Sequence, residues 1–310
     1  MGEMVNISTN LCGIKLENPT ILASGILGTT GSSLVNVANY GAGAVTSKSI
    51  GLKERKGHPN PVLVEWEKGF LNAVGLSGSG VDSFIEEIEF AVKNSKSPVI
   101  ASVFASNIDD FGKVTKEISK AKPHFIEANI SCPNVEAEFG KPFATDPKVS
   151  AQVTKIVKKN TSIPVIVKLS PNVPNISVIA EAVYKAGADI INAINTVGPG
   201  MVINVDVKKP ILANKVGGVS GPAIKPVAVR CVYDCYKAVQ GKIPIIGTGG
   251  VSYGKDLVEM MMAGATAVGI GTGVHYRGID VFRKVSYELE EFMEEKGYSS
   301  LKQIIGVAHD

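Results

Sequence analysis

Eight short apolar runs, each followed by a stretch of helical periodicity, predict an α/β chain built as a (β/α)8 TIM barrel with a short N-terminal β-hairpin. No linker, low-complexity tract or change of composition interrupts the series, so residues 1–310 are expected to form a single barrel domain. The joints repeat as well: Gly41-Ala-Gly-Ala44, Ala186-Gly-Ala-Asp189 and Ala263-Gly-Ala-Thr266 each fall between a helix and the next strand, where glycine takes the left-handed cap conformation. An open doubly wound sheet is the rival architecture, but eight parallel units with no antiparallel edge favour closure.

The first strand is expected at Thr20 to Ala23 and the second at Ala44 to Lys48, followed by Val99 to Phe104 and Phe125 to Ile130. Val165 to Leu169, Ile190 to Asn195, Ile245 to Gly247 and Ala267 to Ile270 complete the eight. Helical periodicity places helices near 33–40, 82–94, 109–121, 147–159, 175–186, 222–240, 254–263 and 279–296. Pro98, Pro164 and Pro244 open strands, a position where no ladder donor is needed. Between Val5 and Asn18 polar and apolar residues alternate around Cys12-Gly13, which predicts a small hairpin at the barrel bottom.

Composition narrows the function. Of 310 residues 45% are hydrophobic and 20% charged, an ordinary globular balance, while 33 glycines show a chain rich in backbone turns. The formal charge of +3 contains no block of like charges, which argues against nucleic-acid and membrane-surface roles. No apolar run reaches the roughly 18 residues of a spanning helix, and no leader pattern opens the chain, so a cytoplasmic protein is expected. The cysteines at 12, 132, 231 and 235 are too few and too irregular for a disulfide framework and are expected to be reduced.

In a barrel of this kind chemistry gathers at the C-terminal ends of the strands. Gly247-Thr-Gly-Gly250 and Gly271-Thr-Gly273 follow strands 7 and 8, where backbone N–H groups commonly bind phosphate, and Gly217-Gly-Val-Ser-Gly221 adds a third loop. Cys12, Cys231 and Cys235 are expected to be small buried hydrophobes, and the helical pair 231/235 has no histidine near it in sequence to make a metal site. Cys132 stands apart, in Asn129-Ile-Ser-Cys132-Pro-Asn134 at the active face, where a thiol could act as nucleophile or general base. Lys48 and Lys168 end strands and offer cations in the barrel mouth, and Asn72, Asn129 and Asn195 add amides. Such a pocket suits a flat, amide-rich substrate carrying a carboxylate.

Five segments carry a resemblance: Asn-Ile-Ser-Cys-Pro-Asn (129–134), Val-Lys-Leu-Ser-Pro-Asn (167–172), Ile-Asn-Thr (194–196), Gly-Gly-Val-Ser-Gly-Pro-Ala-Ile-Lys-Pro (217–226) and Leu-Asn-Ala-Val-Gly-Leu (71–76). In order and spacing they resemble the class 1 dihydroorotate dehydrogenases, and more specifically the catalytic subunit of the NAD-linked class 1B. The resemblance implies FMN in the barrel mouth and oxidation of (S)-dihydroorotate to orotate in de novo pyrimidine (UMP) biosynthesis. By the same resemblance Cys132 is the base that takes the C5 proton while hydride leaves C6 for flavin N5. Lys168 matches the lysine beside flavin N1 and O2, whose charge favours the anionic reduced flavin, and Lys48 a residue touching both flavin and substrate. Ser24, Ser49, Asn129 and Ile194 match further flavin contacts, and Gly221, Gly249, Gly250, Gly271 and Thr272 the phosphate and ribityl cradle. Asn72, Ala73, Val74, Gly75, Leu76, Asn129, Asn134, Asn195 and Thr196 match the orotate pocket.

Two positions depart from the family pattern: Ser102 stands where an asparagine flavin contact is expected, and Asn204 where an aspartate is usual. The segment from Cys132 to Lys141, with Gly140 as hinge, is expected to act as a closing loop. Neither a Cys-x-x-Cys spacing nor a separate Gly-x-Gly-x-x-Gly fingerprint is present. The class 1B resemblance therefore implies a partner subunit carrying FAD and an iron-sulfur cluster, assembled with a homodimer of this chain into a heterotetramer. The competing readings are a fumarate-linked class 1A homodimer, a dihydropyrimidine-oxidising relative, a Schiff-base aldolase using Lys168, and a non-catalytic flavin-binding protein.

Overall fold

The computed structural model describes residues 5–131 and 143–309. Eight parallel strands close into a barrel in chain order: β1 (Thr20–Leu22), β2 (Ala44–Thr46), β3 (Val99–Val103), β4 (Phe125–Asn129), β5 (Val165–Leu169), β6 (Ile190–Ala193), β7 (Ile245–Thr248) and β8 (Ala267–Ile270). The circle is completed by β8 beside β1, with Gly269 opposite Ile21. Each strand leads to a helix of the outer ring: α1 (Gly31–Asn39), α2 (Val81–Asn94), α3 (Ile108–Ile118), α4 (Pro147–Lys159), α5 (Ile176–Lys185), α6 (Lys225–Val239), α7 (Gly254–Met262) and α8 (Val281–Lys296). The eight expected units thus appear where the periodicity places them.

The joints follow from backbone chemistry. Gly41, Gly187 and Gly264 all have positive φ, at 95°, 99° and 113°, the conformation that ends a helix and that side chains with a Cβ resist. The carbonyls of Pro98, Pro164 and Pro244 accept from Val45, Ile126 and Ile191 on the neighbouring strands, so each proline feeds the ladder as acceptor only. Side-chain caps start the helices: Thr30 accepts from Ser33 N–H, Asn107 from Asp110 N–H and Asn175 from Ser177 N–H.

Strand alternation divides the barrel interior into levels. Ile21, Ala44, Ile100, Phe125, Ile166, Ile190, Ile246 and Ala267 form an apolar lower layer together with Leu11 and Leu16. Those two leucines are fully buried and belong to the N-terminal hairpin, whose strands Thr9–Leu11 and Ile14–Leu16 pair antiparallel. Each such burial stabilises by about 1.5–3 kcal/mol, so the hairpin is the floor of the barrel. Its turn is Cys12-Gly13, both at positive φ, which is the two-residue geometry that suits a tight hairpin. Cys12 is therefore exposed, not the buried hydrophobe its residue type implied. One level up, the inward positions turn polar with Ser102, Glu127, Lys168, Asn192 and Thr248, all buried.

One element was not anticipated from the sequence. Val197–Gly200, Gly217–Ser220, Gly69–Asn72 and Leu63–Trp66 form a four-stranded antiparallel sheet, in that order, from the connections after β2 and β6. It supplies one wall above the C-terminal face. A short helix, Gly273–Arg277, also precedes α8. Among the described residues no helix is long and apolar enough to cross a membrane.

His124, at the entry to β4, accepts the Val99 N–H at Nδ1 over 3.1 Å, and burial pushes its pKa below the usual histidine value. The neutral ring is the form that fits. The contribution is thus present above the unfolded histidine value of about 6.5 and is lost as pH falls through the lower folded value. Thermal melting should show the parental midpoint falling more steeply than that of His124→Asn between pH 7 and 5; parallel slopes would contradict this role.

Candidate active site

The strand ends and the antiparallel sheet enclose a cavity of about 510 Å³, within the range of small-molecule and cofactor sites. Of the residues expected to bind flavin or substrate and lying among those described, all but one line it. Ser24 comes from the end of β1, Lys48 and Ser49 from β2, Asn129 from β4 and Lys168 from β5. Ile194, Asn195 and Thr196 follow β6, Thr248, Gly249 and Gly250 close β7, and Gly271 and Thr272 follow β8. The sheet and its flanks bring Asn72, Val74, Gly75, Leu76 and Gly221.

Ala73 is the exception. It is fully buried against Leu71 and Leu212, with its N–H donated to Val62 and its carbonyl 3.2 Å from His58 Nδ1, so it supports the loop from behind. Cys132, Asn134, Gly140 and Lys141 lie outside the described residues. Cys231 and Cys235 sit on α6, where burial pushes both thiols up, Cys231 to about 11. They are protonated packing groups, as their residue type implied.

Hydrogen bonds fix the polar side of the cavity. Ser24 Oγ donates to Ser47 O over 2.8 Å, and Asn129 Nδ2 donates to Ser49 Oγ over 2.9 Å. Asn195 Nδ2 donates to Ser131 Oγ over 2.9 Å, while its Oδ1 accepts from Thr196 N–H. Asn72 Nδ2 reaches Gly218 O at 3.4 Å. Ser131, Asn192 and Glu127 take part in this network although the sequence reading passed over them; for Glu127 and Asn192 a polar side chain at an inward position of an otherwise apolar strand was the available signal.

The charge balance is one-sided. Lys48, Lys168 and His275 line the cavity, and no aspartate or glutamate does so among the described residues. Lys168 is only 5% exposed and is flanked across the ladder by Asn129 and Asn192. Its long stem rises through the polar level, so its charge is held toward the cavity by the surrounding barrel. His275 sits at the rim, edge-on to Phe70 with ring centres 4.8 Å apart and 3.4 Å from Glu65.

The glycines test whether a phosphate-bearing, flat cofactor fits. Gly250 has φ +75°, and a Cβ there would meet Lys225 Cβ at 2.7 Å, so the turn itself demands glycine. Gly271 is different: a Cβ would lie 3.7 Å from Ala23 and 3.8 Å from Ile26, ordinary contact distances. None of the described residues calls for its missing side chain, which leaves space at the cavity wall for a ligand. Among the described residues no loop backbone hydrogen bond uses the N–H groups of Gly250, Gly271 or Thr272, and their position suits an anion. Apolar Ile26, Ile194, Ile224 and Val274 offer a flat ring its surfaces. The residues present fit FMN. Gly271→Val should therefore fold with an unchanged melting midpoint yet bind FMN at least roughly tenfold more weakly, about 1.4 kcal/mol; full FMN occupancy at parental affinity would exclude this placement.

The two departures from the family pattern are also located. Ser102 is buried behind the cavity, donating to Glu127, and Asn204 lies exposed in a two-stranded ribbon where its side chain accepts from Asp206 and Val207 N–H. Neither lines the cavity.

Comparison with known proteins agrees with this geometry. The dihydroorotate dehydrogenase family model matches residues 6–293. A protein of Methanocaldococcus jannaschii named dihydroorotate dehydrogenase B (NAD(+)), catalytic subunit, is 48% identical over 313 residues, covering 100% of both chains. Proteins of the same name from Methanosarcina mazei and Thermoplasma volcanium are 48% and 45% identical, covering 97% and 98% of this chain and 94% and 99% of theirs. A chain so alike along its whole length, with the described parts of the family's motifs around a cation-lined cavity, belongs to the dihydroorotate dehydrogenase family, on its NAD(+)-linked B-type branch.

Proposed function

We propose that this chain oxidises (S)-dihydroorotate to orotate in de novo pyrimidine biosynthesis, as one FMN-binding barrel domain. The observation that carries the reading is a single cavity that joins two lysines, three asparagine amides and glycine loops, with no carboxylate among its described lining. Such a lining attracts the substrate carboxylate and the cofactor phosphate and repels neither.

Bound FMN supplies the acceptor for the hydride leaving C6. The protein's residues do the remaining work. Backbone N–H groups of the loops after β7 and β8 hold the phosphate, and Ile194 and Ile224 fit the ring faces. Asn72, Asn129 and Asn195, oriented by their own hydrogen bonds, present donors and acceptors to the amide edges of the substrate, which fixes C5 and C6 before reaction. Lys48 and Lys168 oppose negative charge arriving in the mouth. Cys132 follows Ser131, the residue that anchors Asn195, and takes the C5 proton as general base. The segment 132–141 excludes water during the step.

Electrons then leave through a partner subunit that carries FAD and an iron-sulfur cluster and delivers them to NAD, in a cytoplasmic heterotetramer built on a homodimer of this chain. The relatives' designation as catalytic subunits of an NAD(+)-linked enzyme supports this arrangement over fumarate as acceptor. Family membership likewise favours oxidation over a Schiff-base reaction at Lys168. The test is anaerobic mixing of the purified FMN-loaded protein with dihydroorotate. The flavin absorbance should bleach, and NAD should be reduced only after the partner is added. No bleaching would overturn the oxidation, and fumarate-dependent turnover by the chain alone would overturn the NAD branch.

A further inference from the structure

We propose that Glu127, a residue that does not line the cavity, is a positioning residue that sets the hydrogen-bond polarity of the orotate side of the site; the inference rests on the function proposed above. Glu127 is 1% exposed, on β4 beneath the mouth. Its Oε1 accepts from Ser102 Oγ over 2.9 Å, and its Oε2 accepts from Asn192 Nδ2 over 2.7 Å.

Two branches rise from this carboxylate, one to each wall. A hydroxyl has a single proton, so the direction of each branch can be counted. Ser102 gives its proton to Glu127 and can only accept from Ser49, whose Oγ is 3.0 Å away. Ser24 gives its proton to Ser47 O, so it too can only accept from Ser49, at 3.3 Å. Ser49, whose single proton goes to one of these two acceptors, the nearer being Ser102, takes a hydrogen bond from Asn129 Nδ2 over 2.9 Å. The amide of Asn129 is thereby held with its NH2 towards Ser49 and its Oδ1 towards Ser131 and Asn195. On the other branch Asn192, donating to Glu127, turns its Oδ1 to the Thr248 hydroxyl at 2.8 Å. Thr248 lines the cavity, and its carbonyl accepts the N–H of Ile194.

One carboxylate with two accepting oxygens therefore sets the donor directions of Ser102 and Asn192 and, through them, bears on Ser49, Asn129 and Thr248, while the Ser47 carbonyl fixes Ser24. In a buried network of this kind, reversing one member forces its neighbours to reverse or to lose a partner. A carboxylate that merely tied β3, β4 and β6 together would have no such reach. It also explains Ser102, the departure from the family pattern: the short hydroxyl serves Glu127 rather than the cavity.

Glu127→Gln keeps the size and changes one acceptor into a donor. Its NH2 must then face either Asn192, opposing another NH2, or Ser102, driving that proton back towards Ser49. FMN-loaded Glu127→Gln should bind orotate at least roughly tenfold more weakly in calorimetric titration, with KM for dihydroorotate raised more than kcat is lowered. FMN content and melting midpoint should stay close to parental. Ser102→Ala, which keeps the carboxylate but removes the nearer of Ser49's two acceptors and leaves only Ser24 at 3.3 Å, should reproduce the loss of orotate affinity and decides the matter if Glu127→Gln fails to fold. Parental orotate affinity, within twofold, in both variants or in the only one that folds would overturn the proposal. An unmodified protein that neither binds orotate nor bleaches with dihydroorotate would instead overturn the function on which it rests.

Discussion

Cys132→Ser should slow the bleaching of bound FMN by dihydroorotate by roughly 10²- to 10⁴-fold, the range that a positioned general base contributes, while orotate affinity changes little. The argument is one of proton affinity. A cysteine thiol has a pKa of about 8.5, so near neutral pH it is partly ionised and can accept the proton of a carbon beside a carbonyl. A serine hydroxyl in the same place holds its proton far more tightly, so the base form is scarce. The described site is left as it is: Ser131 and Asn195 are bonded to one another, and Lys48 and Lys168 keep the charges that on the proposed reading attract the carboxylate. The substrate thus still binds but reacts slowly. Stopped-flow reduction across pH 6 to 9 checks this, with the parental rate rising towards the cysteine value and the serine variant low throughout. Equal rates would remove Cys132 from the chemistry.

The barrel was legible because its signals are local. A strand buried on both faces reads as a continuous apolar run, as in Val165–Leu169, and glycine at a helix end has a conformational reason independent of the rest of the fold. The hairpin floor was legible for the same reason, through alternation around a two-residue turn. The antiparallel sheet was not. Two of its strands, Val197–Gly200 and Gly217–Ser220, are three-quarters and half glycine or proline and read as loops, because they are strands only through pairing with each other and, for Gly217–Ser220, with distant Gly69–Asn72. The hairpin from Leu63 to Asn72, with its Glu67-Lys68 turn, was the one local clue. At the site, residues that face the cavity could be found from strand ends. Glu127 could not, because its meaning depends on partners from β3 and β6 that are 25 and 65 residues away. Cys12 erred in the other direction, a thiol assigned to the core by residue type but placed at an exposed turn by backbone geometry.

Lys168→Met should separate stability from catalysis. The thioether chain has nearly the length of the lysine stem, so it can fill the same space between Asn129 and Asn192. What disappears is a positive charge at a position only 5% exposed. Holding a charge there is unfavourable in the protein alone, because the barrel mouth replaces little of the water that the side chain gives up. The apo-protein of the variant should therefore melt no lower than the parental apo-protein. On the proposed function the sign reverses in the reaction, because the same charge would face the negative charge delivered by the substrate, in a site of low dielectric with no carboxylate among its described lining. Losing a preorganised electrostatic group of this kind costs roughly 10²- to 10³-fold in rate. FMN should still copurify, since on the proposed reading the glycine loops after β7 and β8, and not Lys168, hold its phosphate. Melting of the apo forms, FMN content and anaerobic reduction rates together test the argument. A variant that melts several degrees lower and is reduced at the parental rate would show that Lys168 is there for packing, and the cation in the barrel mouth would have to be Lys48 alone.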